Sequence, residues 1–127
     1  MSGFYKNIGG MVRPTTKDEL KNEIKIRIDR GQTNLNDIDT SRITDMKELF
    51  YNFDAKDQNI DISLWDVHNV RNMSFMFYGC TDFNCDLSGW DVRNDVFVNL
   101  MFAGCDKFDK SYLSKWDIHR KSIATAK

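Results

Sequence analysis

The chain has 127 residues and a mass of 14.9 kDa, room for one domain of ordinary size. With 41% hydrophobic and 29% charged residues it reads neither as disordered along its length nor as a membrane protein, and no run approaches the roughly 18 apolar residues of a span. Eighteen basic against nineteen acidic side chains leave a net charge of −1, which argues against a dedicated nucleic-acid binder.

In chain order, the opening MSGFYKNIGGMVRPTT lacks the apolar core of a secretion signal, so the expected address is cytoplasmic, and residues 1–15 read as a mobile segment. Thr16 followed by Glu19 is a capping box. Leu20, Ile24 and Ile28 then make one apolar stripe, Ile26 lies off it, and Gly31 is placed to stop the helix. Residues 16–31 are therefore expected to form an N-terminal capping helix. This end is basic: residues 1–30 carry seven Lys and Arg against four Asp and Glu, and the remainder carries 11 against 15.

A repeat dominates the rest of the chain. From Trp65 to Trp90 is a step of 25 residues and from Trp90 to Trp116 one of 26, each Trp followed by Asp and then Val or Ile. Met76-Phe77 and Gly79-Cys80 recur as Met101-Phe102 and Gly104-Cys105, and Phe83 as Phe108. A weaker copy runs from Asp39 to Tyr51, so the array of about three to four units spans residues 35–118. Within a unit, Trp65 and Val67 lie two apart, as on a short strand with one buried face. Val70, Met73, Met76, Phe77 and Cys80 then fall on one helical face. The expectation is an α/β fold: a short leucine-rich-repeat-like solenoid with one strand and one short helix per unit, behind the capping helix. Residues 119–127 are polar and form either a C-terminal cap or a tail.

The array places like residues in columns. One is all acidic: Asp39, Asp66, Asp91 and Asp117, expected to face outward, either capping turns or forming a ligand stripe. Beside it run Ser41, His68, Arg93 and His119, and a further column holds Ser63, Ser88 and Ser114. Leu64, Gly89 and Lys115 complete the expected contact face. Cys80 and Cys105 point inward, and Cys85 is the most reactive candidate among the thiols. No CxxC pair and no phosphate-binding loop is present, so neither a metal nor a cofactor is expected.

The stretch from Trp65 to Asn84, WDVHNVRNMSFMFYGCTDFN, resembles a unit of the BspA-like leucine-rich-repeat proteins, bacterial surface proteins with a repeat of about 26 residues. That resemblance implies a solenoid, non-catalytic binding and a cell-surface address as the alternative to the cytoplasm. The third unit departs from the pattern with Asp95 where Val70 is the counterpart. The resulting expectation is a non-enzymatic module that recognises a protein partner through its exposed sheet face. The alternative is a structural module that self-associates through the ends of the array, and neither nucleic acid nor membrane is an expected partner.

Overall fold

A computed structural model describes residues 11–54 and 59–127. Helix α1 (Lys17–Asp29) starts at the capping box: the Thr16 hydroxyl accepts from Glu19 N, and Glu19 Oε1 accepts from the amides of Thr15 and Thr16. Leu20 and Ile24 are buried, and beside them the helix lays down an ionic seam. The Arg27 guanidinium, itself buried, donates to Glu23 Oε1 at 2.8 Å and to Asp37 Oδ1 at 2.9 Å, which locks α1 to the first unit. Ile26, off the stripe, is exposed.

Between α1 and the C-terminal end the described residues form neither strands nor helices of the expected kind. Each apolar-x-x-Trp segment closes as a tight turn, with Trp65 N donating to Ile62 O, Trp90 N to Leu87 O and Trp116 N to Leu113 O. The segment expected to be helical is a run of consecutive turns. The amides of Met76, Tyr78 and Cys80 each bond the carbonyl three residues back. The intervening amides of Met73, Phe75, Phe77 and Gly79 reach across to Phe97, Asn99, Met101 and Ala103 in the next unit. Met46, Glu48 and Phe50 make the same ladder to Asn72, Ser74 and Met76. Such alternation needs a left-handed residue at intervals. Glu48, Phe75 and Leu100 have φ of 60°, 58° and 51°, and Gly79 and Gly104 both have φ of 77°. Each non-glycine residue there costs roughly 1–2 kcal/mol, set against about 1 kcal/mol from the cross-unit hydrogen bond that it permits.

The expected α/β leucine-rich-repeat-like solenoid is thereby overturned, and the BspA-like reading of the architecture falls with it. Among the described residues there is no strand and no sheet. Four isolated parallel bridges remain: Val12–Ile38, Asn34–Asp61, Asp45–Asn72 and Asn72–Phe97. The α-helices, α1 and α2 (Ile118–Thr125), lie at the two ends of the described chain, and a 3-10 helix, Lys110–Leu113, precedes the second. The physical reason is that inward residues spaced three, one and three apart suit a series of turns as well as a helix. The destination of the alternate amides then decides between them.

Like side chains nevertheless pack on like. Phe50, Phe77 and Phe102 stack face to face with centroids 5.5 Å apart at each step, and Phe83 stacks on Phe108 at 5.8 Å. The two files interlock through Phe77–Phe83 at 4.1 Å and Phe102–Phe108 at 4.2 Å. Trp65 and Trp90 are buried, their indole N–H groups donating to Leu35 O and Ile62 O; Trp116 is half-buried. The Cys80 and Cys105 thiols donate to the carbonyls of Phe50 and Phe77. In the third unit Val96 occupies the core in place of Asp95, which pairs with Arg93. That one-residue shift is how the chain tolerates a carboxylate at the position of Val70.

At the C-terminal end Asp117 caps α2 by accepting from His119 N and Arg120 N. The carbonyls of Ile123 and Ala124 receive the amides of Leu100 and Phe102, so α2 terminates the cross-unit ladder. The mobile segment expected over residues 1–15 falls, for residues 1–10, outside the described residues. Beyond them, Val12 is bridged to Ile38, and Pro14 is buried.

Candidate functional site

The acidic column divides by role. Asp39, Asp66 and Asp117 each place Oδ1 within 3.0 Å of the amide two residues on, at Ser41, His68 and His119. These are turn-capping bonds that fix the corner of each unit. Asp91 has a different contact, the Nδ1 of His68 from the preceding unit at 3.4 Å, with both side chains exposed. A second corner repeats the device. Asp61 and Asp86 accept both the amide and the hydroxyl of Ser63 and Ser88, and Asp109 accepts the amide of Ser111. These bonds, the serine hydroxyl first at Asp61 and Asp86 and the Ser111 side chain at Asp109, hold the three carboxyls below the usual range.

The remaining expected residues do not converge. The hydroxyls of Ser63 and Ser88 are spent on aspartates, and Ser114 is exposed. Leu64 is 79% exposed, and Lys115 and His119 face solvent. Arg93 is held by Asp95 at 3.0 Å. His68 meets Asp66 through its backbone amide, so the two side chains do not form an acid–base pair. Burial pushes the thiols of Cys80 and Cys85 up to about 11 and that of Cys105 to about 12; Cys80 and Cys105 are buried, whereas Cys85 is half-buried and so is the most accessible of the three. Among the described residues no group of three or more His, Cys, Asp or Glu could hold a metal ion. No helix there is long and apolar enough to cross a membrane.

The most distinctive surface is one that the sequence columns missed. Tyr51 and Tyr78, from successive units, lie with ring centroids 5.4 Å apart, and Phe75 sits 5.9 Å from Tyr78. The tyrosines are 39% and 38% exposed, and nearby Phe97 is 62% exposed. Two hollows flank Phe75, and Lys47 lines both. One, of about 320 Å³, is lined by Glu48, Tyr51, Phe75, Tyr78 and Leu100; the other, of about 270 Å³, by Asn72, Ser74, Phe75, Phe97 and Asn99. The left-handed residues Glu48, Phe75 and Leu100 all belong to this face. A signal for it was available. Asp45 and Asn72 cap a third set of corners through the amides of Lys47 and Ser74, and at the matching position the third unit carries Phe97. A phenylalanine where a turn-capping side chain belongs is explained by a surface need better than by a folding one.

No curated protein and no solved structure matches the chain. A family model described as "Mycoplasma protein of unknown function, DUF285" matches residues 20–126, from the buried face of α1 to the residue after α2. The chain belongs to this DUF285 family of Mycoplasma proteins of unknown function.

Proposed function

We propose that the chain is a non-catalytic protein-binding module whose contact surface is the aromatic strip formed by Tyr51, Phe75, Tyr78, Phe97 and Leu100. The observation that carries this reading is the grouping of partly exposed rings from successive units on one face. Exposed tyrosine and phenylalanine supply large contact area with little rotamer entropy to lose, and such residues are enriched at interfaces. The backbone under them is held by the cross-unit ladder on both sides, which limits the ordering cost of binding. The aspartates that were the expected contact residues are largely engaged in holding corners. The contact face therefore moves from the acidic columns to the strip.

The test compares three immobilised proteins for capture of a partner from native cell extract: the wild type, Tyr78→Ser/Phe97→Ser and Asp66→Asn/Asp91→Asn. The strip variant is expected to lose the partner and the aspartate variant to keep it, both with unchanged far-ultraviolet circular dichroism. Retention by the strip variant with loss by the aspartate variant would return the contact to the acidic face.

A further inference from the structure

Cys80 and Cys105 lie opposite each other across the joint between successive units. Cross-unit bonds run from Gly79 N to Ala103 O at 2.8 Å on one side of them and from Lys107 N to Thr81 O at 3.1 Å on the other. Phe77 and Phe102, each three residues before its cysteine, stack at 5.5 Å. The joint is tight beside the cysteines: a Cβ on Gly104 would stand 3.3 Å from Gly79 Cα, an approach that the missing side chains allow. Chains in such register run about 4.8 Å apart, inside the window of roughly 4.4–6.8 Å that a disulfide spans between Cα atoms. Phe77 O accepts both Cys80 N at 2.9 Å and Cys105 Sγ at 3.0 Å, which lays the Cys105 sulfur against the Cys80 main chain. Cys80 Sγ points one unit further back, to Phe50 O at 3.2 Å. After desolvation, the nearness of Cys80 is the next influence that raises the Cys105 thiol. A change of rotamer at Cys80 turns its sulfur from Phe50 O towards Cys105. Cys85 stands outside this joint, its sulfur against Asp61 and Asp86.

We propose that Cys80 and Cys105 are a redox pair that closes a disulfide between adjacent units, with a low-molecular-weight disulfide as the oxidant. One cysteine, having given its proton to water, attacks a sulfur of the oxidant; a mixed disulfide forms and one small thiolate leaves. The second cysteine, deprotonated in turn, attacks the protein sulfur of that mixed disulfide and releases the other small thiolate. Both protein thiols are thereby oxidised, their two electrons pass to the oxidant, and the two small thiols carry off the two protons. Both sulfurs are buried, so the exchange takes place as the units come together during folding, and the closed array then shields the product. The cross-link ties the Phe77 unit to the Phe102 unit, whereas the reduced pair leaves that joint to hydrogen bonds and ring stacking.

The full chain is refolded from urea in a buffer of oxidised and reduced glutathione, beside a sample kept reduced throughout. Free thiols are then counted by alkylation in denaturant and mass spectrometry. The oxidised wild type is expected to keep one free thiol and Cys85→Ser none, while Cys80→Ser and Cys105→Ser keep two each. Cys85→Ser leaves the joint untouched, so its count decides the matter even where a substitution at Cys80 or Cys105 impairs folding. The oxidised wild type should melt about 5 °C or more above the reduced sample, and dithiothreitol should abolish the difference. Three free thiols in the refolded wild type, glutathione adducts without a cross-link, or two free thiols in Cys85→Ser overturns the proposal. So does a cross-link that persists in Cys80→Ser, which would pair Cys85 instead, or an oxidised chain that melts no higher than the reduced one.

Discussion

Glu48→Gly separates a series of turns from a helix by the sign of its effect. Glu48 is exposed, makes no ion pair with a described residue, and has φ of 60°, while its amide bonds Ser74 O. Glycine removes roughly 1–2 kcal/mol of left-handed strain. Against that, the greater freedom of glycine in the unfolded chain costs about 0.5–1 kcal/mol. The net expectation is a stabilisation of about 0.5–1 kcal/mol. Had residues 46–52 been helical, the same change would cost about 1 kcal/mol. Lys47→Gly serves as the control, because Lys47 is its exposed neighbour and has no left-handed backbone. It should destabilise by about 0.5–1 kcal/mol through backbone entropy alone. Urea unfolding followed by circular dichroism gives both values on one scale. If Glu48→Gly destabilises as much as Lys47→Gly, the consecutive-turn description of this segment is refuted.

Further expectations test the core, the cap and the corners. Phe77 is fully buried between Phe50 and Phe102, so Phe77→Ala should cost about 3–5 kcal/mol in urea unfolding, whereas Phe97→Ala on the surface should stay within about 0.5 kcal/mol. Arg27→Ala removes the guanidinium from buried Glu23 and should destabilise by about 3–5 kcal/mol at neutral pH; a loss below about 1 kcal/mol would show that the seam does not hold α1. The carboxyls of Asp61, Asp86 and Asp109 titrate lower in the folded chain than when unfolded. Their contribution is thus complete above about pH 5 and lost as pH falls through about 4 and below. Asp86→Asn, which keeps the accepting oxygen, should flatten that acid limb in melting curves taken from neutral pH to about pH 2.5. Finally, with the three thiols pushed up to about 11 or 12, alkylation by iodoacetamide at mildly alkaline pH should be far slower in the native chain than in denaturant. Mass spectrometry of timed samples checks this, and rapid native labelling of Cys85 would contradict it.

Several features were legible in the amino-acid order because they depend on residues close together or on hydrophobicity alone. The capping box at Thr16 and Glu19 is a local pattern, and α1 begins there. Phe50, Phe77 and Phe102 recur at one position of each unit, and their burial in a common file follows from an apolar side chain's need to leave water. The corner role of Asp39, Asp66 and Asp117 was visible as one of two readings, since an aspartate two residues before a free amide has a bond to make.

The backbone path between these points was not legible, and neither was the surface it displays. Met73, Met76, Phe77 and Cys80 turn inward whether residues 73–80 are helical or a succession of turns. Only the bonds from Met73, Phe75, Phe77 and Gly79 to carbonyls one unit away distinguish the two, and those join residues 24 apart in the chain. Gly79 and Gly104 take a left-handed backbone at no steric cost, but Glu48, Phe75 and Leu100 adopt it against their own preference, held there by the ladder. The aromatic strip is a consequence of that constraint. Local chemistry determined which residues are buried and where chain segments turn. The tertiary hydrogen bonds decided the handedness of individual residues, and hence which rings reach the surface together, because a local preference of one or two kcal/mol yields to a network of bonds that forms only when whole units stack.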